Sequence, residues 1–164
     1  MRGLGASQAY WNLSGAERWN GGIYRSVDRC GDSLQLSGDA FEGVAFLPPL
    51  DSGESDFRWG RVKLTLYLPR DSSVRIYARA SDEPDWEAWR KIPARTKGAD
   101  VARLLFGEPK AFSGDAWLTE RGRWLWLAIG FTSGGAEKPR LDAVSILAES
   151  DHMADYLPAA QERG

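Results

Sequence analysis

The chain has 164 residues, 43% of them hydrophobic and 27% charged, with a formal net charge of -2. That length and composition fit one globular domain with a real core and exclude wholesale disorder. The charge gives no electrostatic reason to invoke nucleic acid or an anionic membrane as partner. A single cysteine, Cys30, excludes an internal disulfide. Glycines and polar residues break the opening MRGLGASQAYWNLSG, so it holds no signal-peptide core, and no stretch approaches the ~20 apolar residues of a membrane span. The expected compartment is the cytoplasm.

Residues 1–33 are rich in Gly, Ser, Asn and Asp, with Trp11, Trp19 and Tyr24 scattered among them. They read as an irregular arm anchored by its aromatics. Residues 34–47 read as two short strands broken at Gly38–Asp39, and Pro48–Pro49 with the turn Asp51–Ser52–Gly53–Glu54 ends the pattern. In RVKLTLYLP, Val62, Leu64, Leu66 and Leu68 alternate with Arg61, Lys63, Thr65 and Tyr67, the period of two of a half-buried strand. After the turn at Pro69–Ser72, SVRIYARAS repeats the device, with Val74, Ile76, Ala78 and Ala80 facing in and Arg75, Tyr77 and Arg79 facing out. Two such strands across a short polar turn predict a hairpin.

WEAWRKI, residues 86–92, follows another turn and reads as a further strand. ADVARLLF, residues 99–106, is the helical segment, with Val101, Leu104 and Leu105 at helical spacing and Gly107 and Pro109 as a stop. RWLWLAIGFTS, residues 123–133, is nearly continuous apolar, as a central strand covered on both faces would be. RLDAVSILAE, residues 140–149, closes the series with Val144, Ile146 and Ala148 alternating. The sum predicts an all-β fold, an antiparallel two-sheet sandwich or jelly roll with one short helix. Its core would hold Leu64, Leu66, Ile76, Leu125, Leu127, Val144 and Ile146. The domain would span residues 34–149, between the arm and a polar tail at 150–164.

Chemistry is sparse. His152, the one histidine, lies in the tail, so a histidine-dependent nucleophile has little to work with. One Cys and one His do not make a zinc site, and no glycine-rich phosphate loop is present. Glu83, Asp85 and Glu87 flank Pro84 and read as an exposed turn more readily than as a glycosidase pair. No catalytic residue, metal or cofactor is therefore expected. Eight tryptophans are the unusual feature. Trp86 and Trp89 could stack on a sugar, although positions three apart on a strand point to opposite faces. Trp124 and Trp126 share a face and could be exposed or core.

An ordered set of phrases adds a resemblance. Leu50–Asp51–Ser52–Gly53 precedes Trp59 and the strand RVKLTLYLP, and Arg79–Ala80–Ser81–Asp82 ends the next strand. Then come Arg123–Trp124–Leu125–Trp126–Leu127, Pro139–Arg140–Leu141 and Tyr156–Leu157–Pro158–Ala159. Over roughly residues 41–160 this order resembles the front sandwich module of phage-tail and contractile-injection-system baseplate proteins. It departs from them at Ala160 and Gln161, where the family has a second aromatic, and family members continue into a further domain. The resemblance implies a non-catalytic structural component of a tail-like particle, binding other tail or baseplate proteins. Tyr156, Leu157 and Pro158, an apolar cluster in a polar tail, are the candidate partner-binding residues. The alternative is a carbohydrate-binding module of galactose-binding-like fold, with Trp86 and Trp89 as its ligand aromatics.

Overall fold

The computed structural model describes residues 8–83, 91, 97–112 and 115–149. Their strands form two antiparallel sheets packed face to face. In chain order the strands are β1 (Gln8–Ser14), β2 (Ile23–Arg25), β3 (Val27–Cys30), β4 (Ser33–Leu36), β5 (Glu42–Phe46) and β6 (Leu50–Asp51). Then follow β7 (Arg61–Tyr67), β8 (Ser72–Ser81), β9 (Asp115–Trp117), β10 (Trp124–Ser133) and β11 (Arg140–Glu149), with a 3-10 turn at Ala16–Trp19 and one α-helix among the described residues, α1 (Gly98–Phe106).

The first sheet runs β3-β4-β11-β7-β9, with β1 beside β11. Val144 of β11 pairs with Leu64 of β7 and also with Leu13 of β1, and Leu141 pairs with Leu66 of β7 and with Leu34 of β4. β1 and β4 therefore share one flank of β11 and β7 takes the other. The second sheet runs β2-β5-β10, with β6 continuing the line of β5 and β8 on the far side of β10. Pro48–Pro49 interrupt that line because proline has no N–H for the ladder. Leu47 still donates its N–H to the Leu127 carbonyl at 2.9 Å.

The inner faces meet in one core containing Leu34, Leu36, Val62, Ile76, Leu125, Leu127, Ile129, Val144 and Ile146. Of the expected core, Ile76, Leu125, Leu127, Val144 and Ile146 are buried, while Leu64 and Leu66 are half-buried and packed against it. A second cluster covers the outside of the second sheet, where Val101 and Ala102 of α1 pack on Val44, Phe46, Tyr77 and Ala128. This is why β10 is apolar on both faces. Tyr77, read from sequence as outward, is outward from the sandwich and buried beneath the helix. Gly98 lets α1 approach this closely, since a Cβ there would meet the Val44 side chain at 3.0 Å.

Three expectations need correction. β7 and β8 do not form a hairpin: β7 bonds to β11 and β9, and β8 bonds to β10. The turn between them carries the chain from one sheet to the other, with Ser72 N–H on the Pro69 carbonyl, Gly134 N–H on the Asp71 carbonyl and Asp71 at φ 66°. Alternation reports which side of a strand is buried and is silent on which strand it bonds. Residues 8–30 are not an irregular arm, because β1, β2 and β3 belong to the sheets and Trp19 is fully buried, its Nε1 donating to the Asp32 carbonyl at 2.8 Å. In α1 the packed positions are Val101, Ala102, Leu105 and Phe106, and Leu104 is 83% exposed. Gly107, at φ 85°, ends the helix. Apart from Lys91, the segment expected as a strand at 86–92 lies outside the described residues.

Candidate functional site

Trp86, Trp89, His152, Tyr156, Leu157 and Pro158 all lie outside the described residues. Cys30 is exposed on the edge strand β3. Among the described residues no three His, Cys, Asp or Glu side chains come together in a way that could hold a metal ion. No described helix is long and apolar enough to cross a membrane. Of the paired tryptophans on β10, Trp126 is fully buried and Trp124 is half-buried, with the Arg123 guanidinium 5.3 Å from its ring.

Three places in the molecule concentrate polar and aromatic side chains. The first is one end of the sandwich, where four of the phrases quoted above converge. Arg123 makes a two-pronged ion pair with Asp51, at 2.7 and 2.9 Å. The Asp82 carboxylate accepts the backbone N–H groups of Asp56 and Arg123, at 2.8 and 2.9 Å. Ser52 Oγ donates to the Arg123 carbonyl, and the buried Trp59 donates Nε1–H to the Gly122 carbonyl at 2.8 Å. Gly122 leaves no room for a side chain, because a Cβ would lie 2.5 Å from the Ser81 nitrogen. Hydrogen bonds to the charged form hold both carboxyls below the usual carboxylate range, Asp51 through Arg123 and Asp82 through the two backbone N–H groups. These groups are satisfied by the chain itself.

The second place is the outer face of the first sheet, which carries no helix among the described residues. Arg61, Lys63, Thr65 and Tyr67 of β7 point outward, opposite to Val62, and Trp117 of β9 does so opposite to the buried Ala116. Trp117 is 67% exposed. The Arg61 guanidinium lies 5.4 Å from its ring centre and 3.6 Å from Asp115. About 20 Å along β7, at ~3.3 Å per residue, Arg140 lies over the Tyr67 ring at 5.7 Å. Arg140 also meets Asp142 at 3.0 Å, and Asp142 accepts from Ser33 Oγ at 2.5 Å. The Ser33 bond, with Arg140 helping, lowers the Asp142 carboxyl; the bond from Tyr67 to Glu137, 2.6 Å, raises the Tyr67 hydroxyl. Two aromatic rings, each already held by a guanidinium, thus mark the two ends of β7.

The third place is a cleft of about 440 Å³ at the edge of the second sheet, lined by Arg25 and Ser26, by the loop into β5 at Asp39–Gly43, and by Lys97–Ala99 at the start of α1. Phe41 stands in it 74% exposed. Neither Trp117 nor Phe41 was marked by the sequence, since exposure is a property of the neighbours an aromatic finds and not of its local pattern.

No family model matches the chain and no curated protein matches it. Among solved structures it is similar to one described as a new low affinity xylan binding module, CBM86, from the xylanolytic gut symbiont Roseburia intestinalis. The identity is 13%, the match covers 85% of this chain and 93% of that one, and the TM-score is 0.31. A likeness this loose carries no argument about either fold or function.

Proposed function

We propose that the chain is a non-catalytic structural component of a phage-tail-like particle, a baseplate-type protein that binds other tail proteins through the outer face of its first sheet. The observation that carries this is the unequal cover of the two sheets. The second sheet has α1 packed on its outer face over Val44, Phe46, Tyr77 and Ala128, whereas the first leaves Trp117, Arg61, Tyr67 and Arg140 to solvent or half-buried. Trp, Tyr and Arg are the residue types enriched in protein interfaces and their energetic centres. A Trp left in water forgoes roughly 1.5–3 kcal/mol of burial that a partner can supply. Asp115, Asp142 and Glu137 among the cations argue against nucleic acid. The ordered phrases that resemble tail proteins support the kind of partner proposed, and the open face supports where it would bind.

Residues 150–164, with Tyr156, Leu157 and Pro158, enter the same proposal as a second contact. The experiment is gradient sedimentation of particles from cells carrying the wild-type chain, Trp117→Ala or Arg61→Glu. Wild type should travel with the particle and both variants should stay at the top of the gradient while remaining folded. Full incorporation of both variants would remove the face from the proposal, and absence of the wild-type chain from any particle would remove the assembly role.

A further inference from the structure

We propose that the cleft beside Phe41 is a binding site for a neutral saccharide, separate from the docking face. The first support is the way Phe41 is held. Its carbonyl accepts the Ser133 N–H at 2.8 Å, the preceding Ala40 donates its N–H to the Ser37 carbonyl at 3.0 Å, and the Ala40 carbonyl accepts from Lys138 Nζ at 2.9 Å. The backbone is pinned on both sides while the ring is left 74% in solvent. Lys138 Nζ lies 5.8 Å from the ring centre. An apolar ring fixed in this way is a platform, and its negative π-face suits the polarised C–H bonds of a pyranose.

The second support is the chemistry around the ring. The lining holds two carboxylates, Asp39 and Glu42, and two cations, Arg25 and Lys97. Carboxylates only accept hydrogen bonds and guanidinium and ammonium groups only donate them. A polyol, whose every hydroxyl does both, can satisfy both kinds at once. An anionic ligand would meet Asp39 and Glu42, and a cationic one would meet Arg25 and Lys97, so the balanced set selects a neutral ligand. Charged groups make the stronger hydrogen bonds, which suits a ligand that must be drawn from water by its hydroxyls.

The third support is shape. The cleft's ~440 Å³ falls within the ~300–1,000 Å³ of small-ligand sites. Gly43 lets β5 close tightly on Arg25–Ser26 to form one wall, because a Cβ there would lie 2.6 Å from the Ser26 carbonyl oxygen and 2.7 Å from that of Arg25.

The test is calorimetric and NMR titration of the full chain with cellohexaose, xylohexaose and mannohexaose, and with hexagalacturonate as the charged comparator. At least one neutral hexasaccharide should bind saturably, with amide shifts gathered at Asp39–Gly43 and Lys97–Ala99. Phe41→Ala should weaken that binding at least tenfold and Trp117→Ala should leave it unchanged. Should Phe41→Ala fail to fold, Glu42→Gln reads the same loss. The proposal is overturned if no neutral hexasaccharide saturates, if hexagalacturonate binds more tightly than all three, or if Phe41→Ala and Glu42→Gln bind as wild type does. Particle incorporation of Phe41→Ala, expected to be normal, keeps this result separate from the docking face.

Discussion

Around Arg123 the polar groups close on the chain itself; across the outer face of the first sheet much the same residue types are left open. At the closed end Asp82 takes two backbone N–H groups, Asp51 takes both prongs of Arg123, and Trp59 is buried with its indole N–H on Gly122. On the open face an arginine also meets an aspartate and a tryptophan also sits beside it, yet Trp117 keeps 67% of its surface in water. The difference separates residues that make the fold from residues the fold presents. It also gives the phrases at Leu50–Gly53, Trp59, Arg79–Asp82 and Arg123–Leu127 a physical reason to occur in that order: in this chain they interlock at one end of the sandwich.

Substitutions can break this contrast, and the largest effect belongs to the closed end. Trp59→Ala should cost about 3–5 kcal/mol through lost burial and a cavity, and it strands the Gly122 carbonyl as well; the melting temperature should fall by roughly 6–20 °C. A fall of only a degree or two would mean that this end is not structural. Gly60→Ala comes next. Its new Cβ would lie 2.3 Å from the Leu147 carbonyl oxygen, so the strand pair must shift, at about 1–3 kcal/mol by denaturant titration. Asp82→Ala should destabilise less than Gly60→Ala, since it leaves two backbone donors to water, and Asp82→Asn should be milder still because the amide oxygen can accept in the same place.

Acid should act on the same end, and on Asp142 beside the open face. The carboxyls of Asp51, Asp82 and Asp142 lie below their ordinary values in the folded chain. In the window between the folded and unfolded pKa values the unfolded state binds more protons, so stability rises with pH there. The contribution is complete above the ordinary aspartate value of ~4 and is lost as pH falls through the lowered folded values. Urea midpoints measured from pH 6 downward should decline below pH ~4, and Asp82→Asn should decline less steeply than wild type. An equal slope would show that Asp82 carries none of the effect.

How much of this the sequence disclosed depends on what each signal encodes. β10 and β11 were legible because a buried strand reports itself by its own apolar positions, and Leu125, Leu127, Val144 and Ile146 are buried as expected. β7 and β8 were legible as strands and illegible as partners, since pairing across roughly 40 to 85 residues leaves no local trace. β1 and β2 were missed because they are stabilised by long-range pairing, as between Leu13 and Val144, and β3 because only Val27 of its four residues is buried although it pairs locally with β4. The aromatics were hardest. Trp19, Trp59 and Trp126 are fully buried while Trp117 and Phe41 are exposed, and nothing in their immediate neighbours separates the two groups. Trp86 and Trp89, the ligand aromatics of the alternative reading, fall outside the described residues, and among the described residues Phe41 is an exposed ring in a cleft.

The smallest expected change in stability, and the most direct measurement, belong to the open face. Trp117→Ala should alter folding stability by no more than about 0.5 kcal/mol, as exposed positions usually do. Gradient sedimentation of particles from cells expressing this variant, beside wild type and Trp59→Ala, sets presentation against folding. A docking face predicts that Trp117→Ala melts like wild type and is nonetheless lost from the particle fractions. A Trp117→Ala chain that melts like wild type and sediments with the particle in full would contradict it.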